Sequence, residues 1–336
     1  MIENVNKVSA SLINTFDMCQ QKWLLQYILN IKEPAGKAAE LGTCGHSVLE
    51  AVAKSKIVRQ EGKRYKKDKL FGNVYARYDL DKWIDIAFEE CKKRNPHLKF
   101  APADKRKLSK NVHTAVAHEF SPENHKEVIA VEKFFTLPID KPWGKATVLE
   151  DGEVKEKQLY VNGFIDIIFR NDAGELNYLD YKFGRPYDWN KGVDKTYSNI
   201  VDDIQLCLYY YAMQKLYPDE PITTIIWYIA YDKVFILNFG DETIRFAEER
   251  LQAIFEKIRY LDKPACNYGS HCNFCPYRRY NFSNWDLDYL NMPHHPVNHF
   301  RAVNGMSCVC DALKTFLTHR GLTVTIENLK QKRTKK

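Results

Sequence analysis

The spacing of apolar residues changes along the chain and predicts an α/β protein. Apolar side chains recur at helical spacing over about 9–29, 41–56, 79–94, 104–120, 200–216 and 242–260. Alternating and β-branched runs, which are typical of strands, cover 127–182, 222–232 and 234–239. Turn-forming residues at 151–152 and 171–174 divide the first of these runs. We therefore expect an antiparallel meander over 127–182, with helices before and after it in the sequence.

Length and composition are those of an ordinary globular chain. The 336 residues are 45% hydrophobic and 28% charged, which excludes a largely disordered chain, a collagen-like chain and a small disulfide scaffold. The N-terminal segment has no apolar run of the kind found in signal peptides, and no stretch approaches the ~20 apolar residues of a membrane span. We therefore expect a cytoplasmic protein in a reducing compartment, without membrane contact.

The net charge of +7 is unevenly distributed. Five of these charges lie in the tail 330–336, so the net charge alone says little about a nucleic-acid partner. The segment 54–69 is a second basic concentration, with eight basic residues and two acidic ones. Such runs are most often solvated surfaces. Beside an acidic metal site, however, this one would provide a track for phosphate groups.

Three charged residues lie within apolar strands. Asp166 interrupts VNGFIDIIF, while Asp180 and Lys182 belong to NYLDYKF. Asp180 and Lys182 are two residues apart, so they project from the same face of their strand. A buried carboxylate is costly unless it is paired or binds a metal. The pattern therefore predicts either a site for a divalent cation such as Mg²⁺ with a lysine beside it, or a buried Asp–Lys ion pair.

Four further residues could belong to the same centre. His46, in GTCGH at the start of a predicted helix, could supply an imidazole ligand. Gln205 and Tyr209 are four residues apart on one helical face and could reach the centre. Glu132, in AVEKFF, could support a ligand or simply be exposed. Each of these residues has an ordinary structural explanation when taken alone.

Taken in order, these motifs resemble the PD-(D/E)XK nuclease superfamily, and within it the branch that contains the RecB and AddB nuclease domains and the CRISPR-adaptation exonucleases. The order is a glycine-rich stretch ending in His46, then Gly163-x-x-Asp166, then Asp180-Tyr-Lys182, then Gln205-x-x-x-Tyr209. The resemblance covers about 9–280. It implies a restriction-endonuclease-like α/β fold, in which a central mixed sheet is flanked by helices.

The resemblance also implies roles for these residues. His46, Asp166 and Asp180 would bind Mg²⁺ or Mn²⁺, and Lys182 would be the catalytic lysine. Gln205 and Tyr209 would support the active site and contact DNA.

The implied function is a metal-dependent DNA exonuclease of recombination, repair or replication, acting on single strands or duplex ends. Two alternatives are a non-catalytic iron–sulfur subunit that binds DNA ends in a recombination complex, and a CRISPR-adaptation trimming nuclease. The sequence contains no Walker A loop, so a helicase would be a separate partner.

The cysteines predict a second metal site. Cys266, Cys272 and Cys275 form a C-x5-C-x2-C cluster, and a tetrahedral site needs a fourth ligand. From spacing alone, that ligand could be Cys19, His271 or the pair His294 and His295. The resemblance selects Cys19 and implies a 4Fe–4S cluster. The family's usual trio has its extra cysteine after the C-x2-C pair rather than before it, so zinc on the same four cysteines is the alternative.

These features suggest a nuclease domain over 1–282 and a C-terminal extension over 283–336 with a basic tail. The nuclease domain would contain a helical insertion over about 52–125 and would be closed by the cluster between residue 19 and 266–275. The predicted DNA contacts are basic residues beside these sites, namely Lys63, Arg64, Lys66, Lys67, Arg278 and Arg279.

Overall fold

The computed structural model describes residues 5–28, 36–150, 153–188, 192–261, 264–265, 267, 269–273 and 275. Its α-helices are α1 (Ala10–Met18), α2 (Gln20–Trp23), α3 (Lys37–Gln60), α4 (Leu80–Arg94), α5 (Pro102–Ala117), α6 (Tyr197–Ile200), α7 (Ile204–Leu216) and α8 (Asp241–Arg259). Its strands are β1 (Lys7–Val8), β2 (Lys66–Asp68), β3 (Gly72–Val74), β4 (Glu127–Pro138), β5 (Lys145–Glu150), β6 (Glu153–Gln158), β7 (Tyr160–Arg170), β8 (Leu176–Lys182), β9 (Tyr187–Asp188), β10 (Val193–Asp194), β11 (Ile222–Tyr228) and β12 (Lys233–Asn238). The sequence also predicts a short helix near 306–319, and this segment lies outside the described residues.

A mixed sheet organises the strands. β8 pairs antiparallel with β7 on one side and parallel with β11 on the other. β12 pairs antiparallel with β11, and β4 pairs with β7. The predicted α/β fold with a central mixed sheet is therefore confirmed. The antiparallel arrangement predicted over 127–182 holds for β7 with β8 and for the β5–β6 hairpin.

Helices pack on both faces of β8, whose side chains alternate between them. Leu179 and Tyr181 belong to one buried cluster with Leu49 of α3. Tyr178 faces α7 instead, where its hydroxyl donates a hydrogen bond of 2.7 Å to the carbonyl of Leu206. Because consecutive strand residues point to opposite faces, the same alternation directs the even-numbered charged residues of β8 toward α7.

The beginning of α3 differs from the prediction. The helix begins at Lys37, after an extended Gly36, so His46 lies inside α3 and not at its start as predicted. The apolar pattern predicted a helix over about 41–56, which would have placed His46 near its beginning. In the structure Gly45 instead makes room for Phe183, because a Cβ at Gly45 would lie only 2.1 Å from Cζ of that ring. This glycine is a packing requirement within the helix.

The helix predicted over 9–29 is divided. The side chain of Ser9 caps α1 by accepting from the amide of Leu12, and α1 ends at Cys19. Cys19 has extended backbone angles (φ −164°, ψ 113°), so α2 begins as a separate helix. A π-helical turn, Leu24–Ile28, follows α2.

The chain forms two compact units, each assembled from separate segments. The first consists of 1–34, 138–161 and 250–336, and the second of 35–137 and 162–249. In the first unit, β1 pairs in parallel with the beginning of β7. The second unit contains β4, β8, β11, β12 and most of β7. None of the helices in the described ranges combines the length and the apolar character that a bilayer span requires.

Candidate active site

Three potential metal ligands from different elements meet in the second unit. They are His46 of α3, Glu132 of β4 and Asp166 of β7, and their ligand atoms all lie within 4.8 Å of one another. The Nδ1 atom of His46 is 3.5 Å from Oδ2 of Asp166. One imidazole nitrogen and two carboxylates are a donor set that suits a divalent cation. We call these residues the His46 group.

Asp166 lies where β7 and β8 separate. Their backbone pairing runs from Arg170 with Leu176 to Ile167 with Leu179. Beyond that point the amide of Tyr181 donates to the side chain of Asp166, with 2.9 Å between nitrogen and Oδ2. The Asp166 side chain therefore takes the place of a backbone acceptor, which holds its carboxylate at the fork between the strands.

Glu132 reaches the group through an irregular backbone. Its φ of 47° is in the left-handed region, which is uncommon for a residue with a side chain. Consecutive residues of a regular strand point to opposite faces, yet Val131 and Glu132 both line the small cavity beside His46. The left-handed turn in β4 explains how both side chains face the same cavity.

From its sequence position, Glu132 was predicted only to support a ligand or to be exposed. Burial, followed by the negative charges of Asp166 and Glu50, raises the pKa of its carboxyl to about 7. A carboxylate placed so close to two others is stabilised by a cation. The available signal was a lone acid within an apolar strand, the same signal that identified Asp166.

The four other predicted residues form a second group, on the α7 face of β8. Lys182 Nζ is 2.6 Å from Oδ2 of Asp180 and donates to Oε1 of Gln205 at 3.1 Å. The side-chain nitrogen Nε2 of Gln205 donates to Oδ1 of Asp180 at 2.8 Å and to the Tyr209 hydroxyl at 3.1 Å. The structure thus brings Asp180, Lys182, Gln205 and Tyr209 together, as the sequence predicted. Whether Asp180 also ligates a metal stays a prediction.

The electrostatics of this second group keep the lysine charged. Burial is the largest influence on the pKa of Asp180 and raises it. The ammonium of Lys182 lowers this pKa and the charge of Asp166 raises it, and the pKa remains above its usual value. For Lys182, burial lowers the pKa, but the charges of Asp180 and Asp166 outweigh it and the pKa rises. The Lys182 ammonium therefore retains its proton at neutral pH.

Local sequence fixes the position of α7. Asp203 caps the helix by accepting from the amide of Gln205, at 3.0 Å. Gly163 leaves room for the next turn, since a Cβ there would lie 3.0 Å from Cε1 of Tyr209 and 2.9 Å from Cζ of Phe135. The glycine of the Gly163-x-x-Asp166 motif thus has a steric role.

The predicted DNA contacts are only partly placed. Lys67 lines a cavity next to Glu132. Lys63 is exposed and forms an ion pair of 2.8 Å with Glu61. Arg64 is exposed and Lys66 is half-buried on β2. Arg278 and Arg279 lie outside the described residues, as do His294 and His295.

Three of the four predicted cluster ligands lie within the described residues. Cys19, Cys272 and Cys275 are half-buried, and Cys266 lies outside the described residues. Within the first unit, however, the helices around Cys19 are bonded to the segment around Cys266. Gln21 Nε2 donates to the carbonyl of Pro264 at 2.7 Å, and Asn267 Nδ2 donates to the carbonyl of Met18 at 3.1 Å. These bonds bring the two cysteine-bearing segments together, and a metal or cluster on them stays a prediction.

A mixed sheet with a His–carboxylate group at the fork of two strands, and an Asp–Lys pair on the next strand, is an arrangement that metal-dependent hydrolases use. The particular family follows from the sequence match. The family model of the PD-(D/E)XK nuclease superfamily matches residues 7–280, and the chain belongs to this superfamily. The resemblance to the superfamily is therefore confirmed, while the narrower RecB/AddB branch stays a prediction.

Two solved structures resemble the chain at low identity. One, described as "Putative exonuclease" from Eubacterium rectale, is 9% identical with a TM-score of 0.43, covering 85% of this chain and 93% of that one. The other, SSO0001, is 13% identical with a TM-score of 0.30, covering 77% and 91%. No curated protein matches the sequence.

Proposed function

We propose that the protein is a metal-dependent DNA exonuclease. The observation that supports this best is the bond that attaches the His46 group to β8: Asp166 accepts from the backbone amide of Tyr181, which is the residue between Asp180 and Lys182. A candidate cation site and a charged lysine therefore lie side by side. The chain belongs to a nuclease superfamily whose members use divalent metals.

The side chains present fit a divalent cation. His46, Glu132 and Asp166 would hold it, with Asp180 as a further carboxylate close by. Bound Mg²⁺ or Mn²⁺ would polarise the phosphodiester and lower the pKa of a bound water.

Lys182 would stabilise negative charge on the phosphate. Its ammonium has three N–H donors, and its two contacts, with Asp180 and Gln205, fix its direction. Burial lowers the pKa of this lysine, but the charges of Asp180 and Asp166 raise it above its usual value, and a raised pKa suits an electrostatic role better than that of a base. Gln205 would hold both Asp180 and Lys182 in place.

Separate substitutions test the assignment. Asp166→Asn and Lys182→Ala should each reduce Mg²⁺- or Mn²⁺-dependent hydrolysis of a fluorescent linear DNA by at least about 100-fold. Asp219→Asn, at an exposed position after α7, is the matched control and should retain full activity. Circular dichroism would verify that each variant is folded. Full metal-dependent hydrolysis by either variant would contradict the proposal.

The exonuclease assignment needs its own experiment. Linear and covalently closed circular single strands of equal length would be incubated with the protein and Mn²⁺. We expect degradation of the linear strand and survival of the circle. Equal loss of both would show an endonuclease.

We also propose a 4Fe–4S cluster on Cys19, Cys266, Cys272 and Cys275. It is supported by the bonds that join the segments around Cys19 and Cys266. Anaerobic purification should give a brown protein with iron and sulfide in equal amounts. A colourless protein containing zinc would contradict the cluster.

A further inference from the structure

A cavity of about 780 Å³ opens beside the His46 group. It lies within the second unit, between α3, the β2–β3 hairpin, α4, β4 and β7. It shares Glu50, Val131 and Glu132 with the small cavity that contains His46 and Asp166. A molecule bound in this cavity would therefore reach the candidate metal ligands directly.

Two phenylalanine rings form an exposed pair at this cavity. Phe164 of β7 lines it and is 51% exposed, and Phe134 of β4 is 47% exposed. Their ring centroids are 4.9 Å apart and their planes are inclined by 45°. Leaving two such rings in water forgoes a large gain from burial, so the pair suits a flat apolar ligand surface.

Three cations surround the same cavity. Lys67, Lys69 and Arg94 line it, and all three are exposed. None of them forms an ion pair with another residue in the described part of the chain. The fourth cation, Lys54, differs because it is paired with Asp68 at 2.7 Å and with Glu50 at 2.5 Å. Lys54 thus neutralises two of the acids that line the cavity, Glu50 and Asp68. Of the other two lining acids, Glu90 is paired with Lys93 at 4.0 Å and Glu132 belongs to the His46 group, so that Lys67, Lys69 and Arg94 can meet an anionic ligand.

We propose that this cavity, the Phe164 groove, binds a single strand of DNA. An unpaired base would stack on Phe164, and phosphates would contact Lys67, Lys69 and Arg94. The strand would then lead past Glu132 to the candidate metal site. This inference rests on the proposed function and adds that the DNA bound beside the site is single-stranded.

The aromatic pair favours one strand over a duplex. Each base inside a duplex is covered on both faces by its neighbours, so it presents no face to a protein ring unless it is extruded. A base in a single strand stacks on aromatic side chains without that cost. Lysine and arginine contacts to the backbone suit either form. The aromatic rings therefore favour single-stranded DNA over a duplex.

Binding of labelled oligonucleotides tests the groove. Fluorescein-labelled dT20 and a blunt 20-base-pair duplex would be titrated in EDTA, where cleavage is suppressed. Phe164→Ala should weaken dT20 binding about tenfold and change duplex binding less than about twofold. Tyr231→Ala is the control, because Tyr231 is 53% exposed but lies between β11 and β12, away from β4 in the sheet order. This control should bind dT20 like the unaltered protein.

A fluorescence measurement distinguishes a loss of base stacking from a general loss of folding. A 2-aminopurine base within dT20 should be quenched on binding, and Phe164→Ala should relieve this quenching. Phe134→Ala should also weaken dT20 binding.

The phosphate contacts are tested by the salt dependence of binding. The double variant Lys67→Ala with Lys69→Ala should lower the slope of log Kd against log salt concentration by about 1.4, since each single-strand phosphate contact contributes about 0.7. Lys107→Ala, an exposed lysine of α5, should leave the slope unchanged.

The outcomes distinguish the groove from the nuclease assignment. If Phe164→Ala bound dT20 as tightly as the unaltered protein, or lost duplex binding equally, the groove would be wrong even if DNA were hydrolysed. Tighter binding of rU20 than dT20 would overturn DNA as its occupant. If dT20 bound through Phe164 but no DNA were hydrolysed with Mg²⁺ or Mn²⁺, the groove would stand and the proposed activity would fail.

Discussion

His125 is an uncharged imidazole enclosed in the second unit. It is 5% exposed and stacks on Phe169, with ring centroids 3.4 Å apart and planes inclined by 8°. Its Nε2 atom is buried and has no hydrogen-bond partner among the described residues. Burial, together with the positive charge of Lys56, lowers the pKa of this imidazole to about 3. The folded protein therefore binds a proton here less readily than the unfolded chain does.

This difference predicts sensitivity to acid. The folded pKa is below the unfolded value, so stability is complete above about pH 6.5 and falls as the pH drops from there toward 3. At pH 5 the loss should be about 2 kcal/mol, because each unit of pKa difference is worth about 1.4 kcal/mol. His125→Phe should remove this part of the pH dependence in urea unfolding at pH 5 and 7.5. His97→Phe, at an exposed histidine, should not, and an unchanged pH dependence in His125→Phe would contradict the assignment.

Gly163 is a motif residue whose role is steric, because its lack of a side chain leaves room for neighbouring rings. Its position in β7 faces the rings of Phe135 and Tyr209, which approach too closely for an ordinary Cβ contact. Tyr209 in turn contacts Gln205, which holds Asp180. A methyl group at Gly163 would therefore press on the network that positions the catalytic lysine.

Gly163→Ala should lower the free energy of unfolding by about 1–3 kcal/mol, as expected for overpacking. It should also reduce DNA hydrolysis, because Tyr209 and then Gln205 must shift. Gly184→Ala is the control for stability, since nothing lies within 4 Å of the added atom. Chemical denaturation of both variants checks the prediction, and equal stability of the two would contradict it.

At the scale of elements, sequence periodicity predicted the strands and helices that matter most. Alternation along β8 placed Asp180 and Lys182 on one face, and the four-residue spacing placed Gln205 and Tyr209 on one side of α7, as the structure shows. Glu132 could not be assigned in this way. Its left-handed φ disturbs the alternation of β4, and a glutamate gives no sign of such a backbone in the sequence.

The β2–β3 hairpin is fixed by a buried ion pair. Lys54 of α3 contacts Asp68 of β2, and their side chains are 14% and 4% exposed. The other oxygen of Asp68 accepts from the amides of Leu70 and Phe71, which closes the turn. One carboxylate therefore shapes the hairpin and attaches it to the helix that carries His46.

Lys54→Met should loosen this hairpin, because it leaves Asp68 buried without its cation. The cost should be at most about 3 kcal/mol, and amide hydrogen exchange should accelerate in 66–74. The double variant Lys54→Met with Asp68→Leu should recover part of the stability, since the buried carboxylate of Asp68 is removed although its turn bonds to Leu70 and Phe71 are lost. Lys105→Met, which removes an exposed pair with Asp85, should leave exchange in the hairpin unchanged. Equal exchange in the hairpin of Lys54→Met and the unaltered protein would contradict the anchoring role.

At the scale of the whole molecule, the first unit connects distant parts of the chain. Backbone and side-chain bonds link Gln20 and Gln21 to Pro264 and Ala265, across more than 240 residues. The sequence could suggest this connection only through its cysteines. The bonds themselves involve glutamine amides and backbone carbonyls, which have no distinguishing pattern in a sequence.

Cys19→Ser should therefore weaken the whole fold if a cluster closes this connection. We expect loss of iron and a lower melting temperature, while Mn²⁺-dependent hydrolysis persists at low temperature because no chemical step involves the cluster. Cys207→Ala, at a buried cysteine of α7, should keep its iron. Unchanged iron content in Cys19→Ser would exclude Cys19 as a ligand.

The left-handed backbone at Glu132 affects which substitutions selection would favour at this position. The left-handed φ costs of the order of 1 kcal/mol, and burial, followed by the charges of Asp166 and Glu50, raises the pKa of the half-buried carboxyl. Replacements such as Glu132→Gly should therefore stabilise the metal-free fold. Selection for folding alone would remove this glutamate, and only selection for cation binding would retain it. A variant library sorted for heat resistance in EDTA should therefore enrich substitutions at Glu132. The same library sorted for DNA hydrolysis should exclude them.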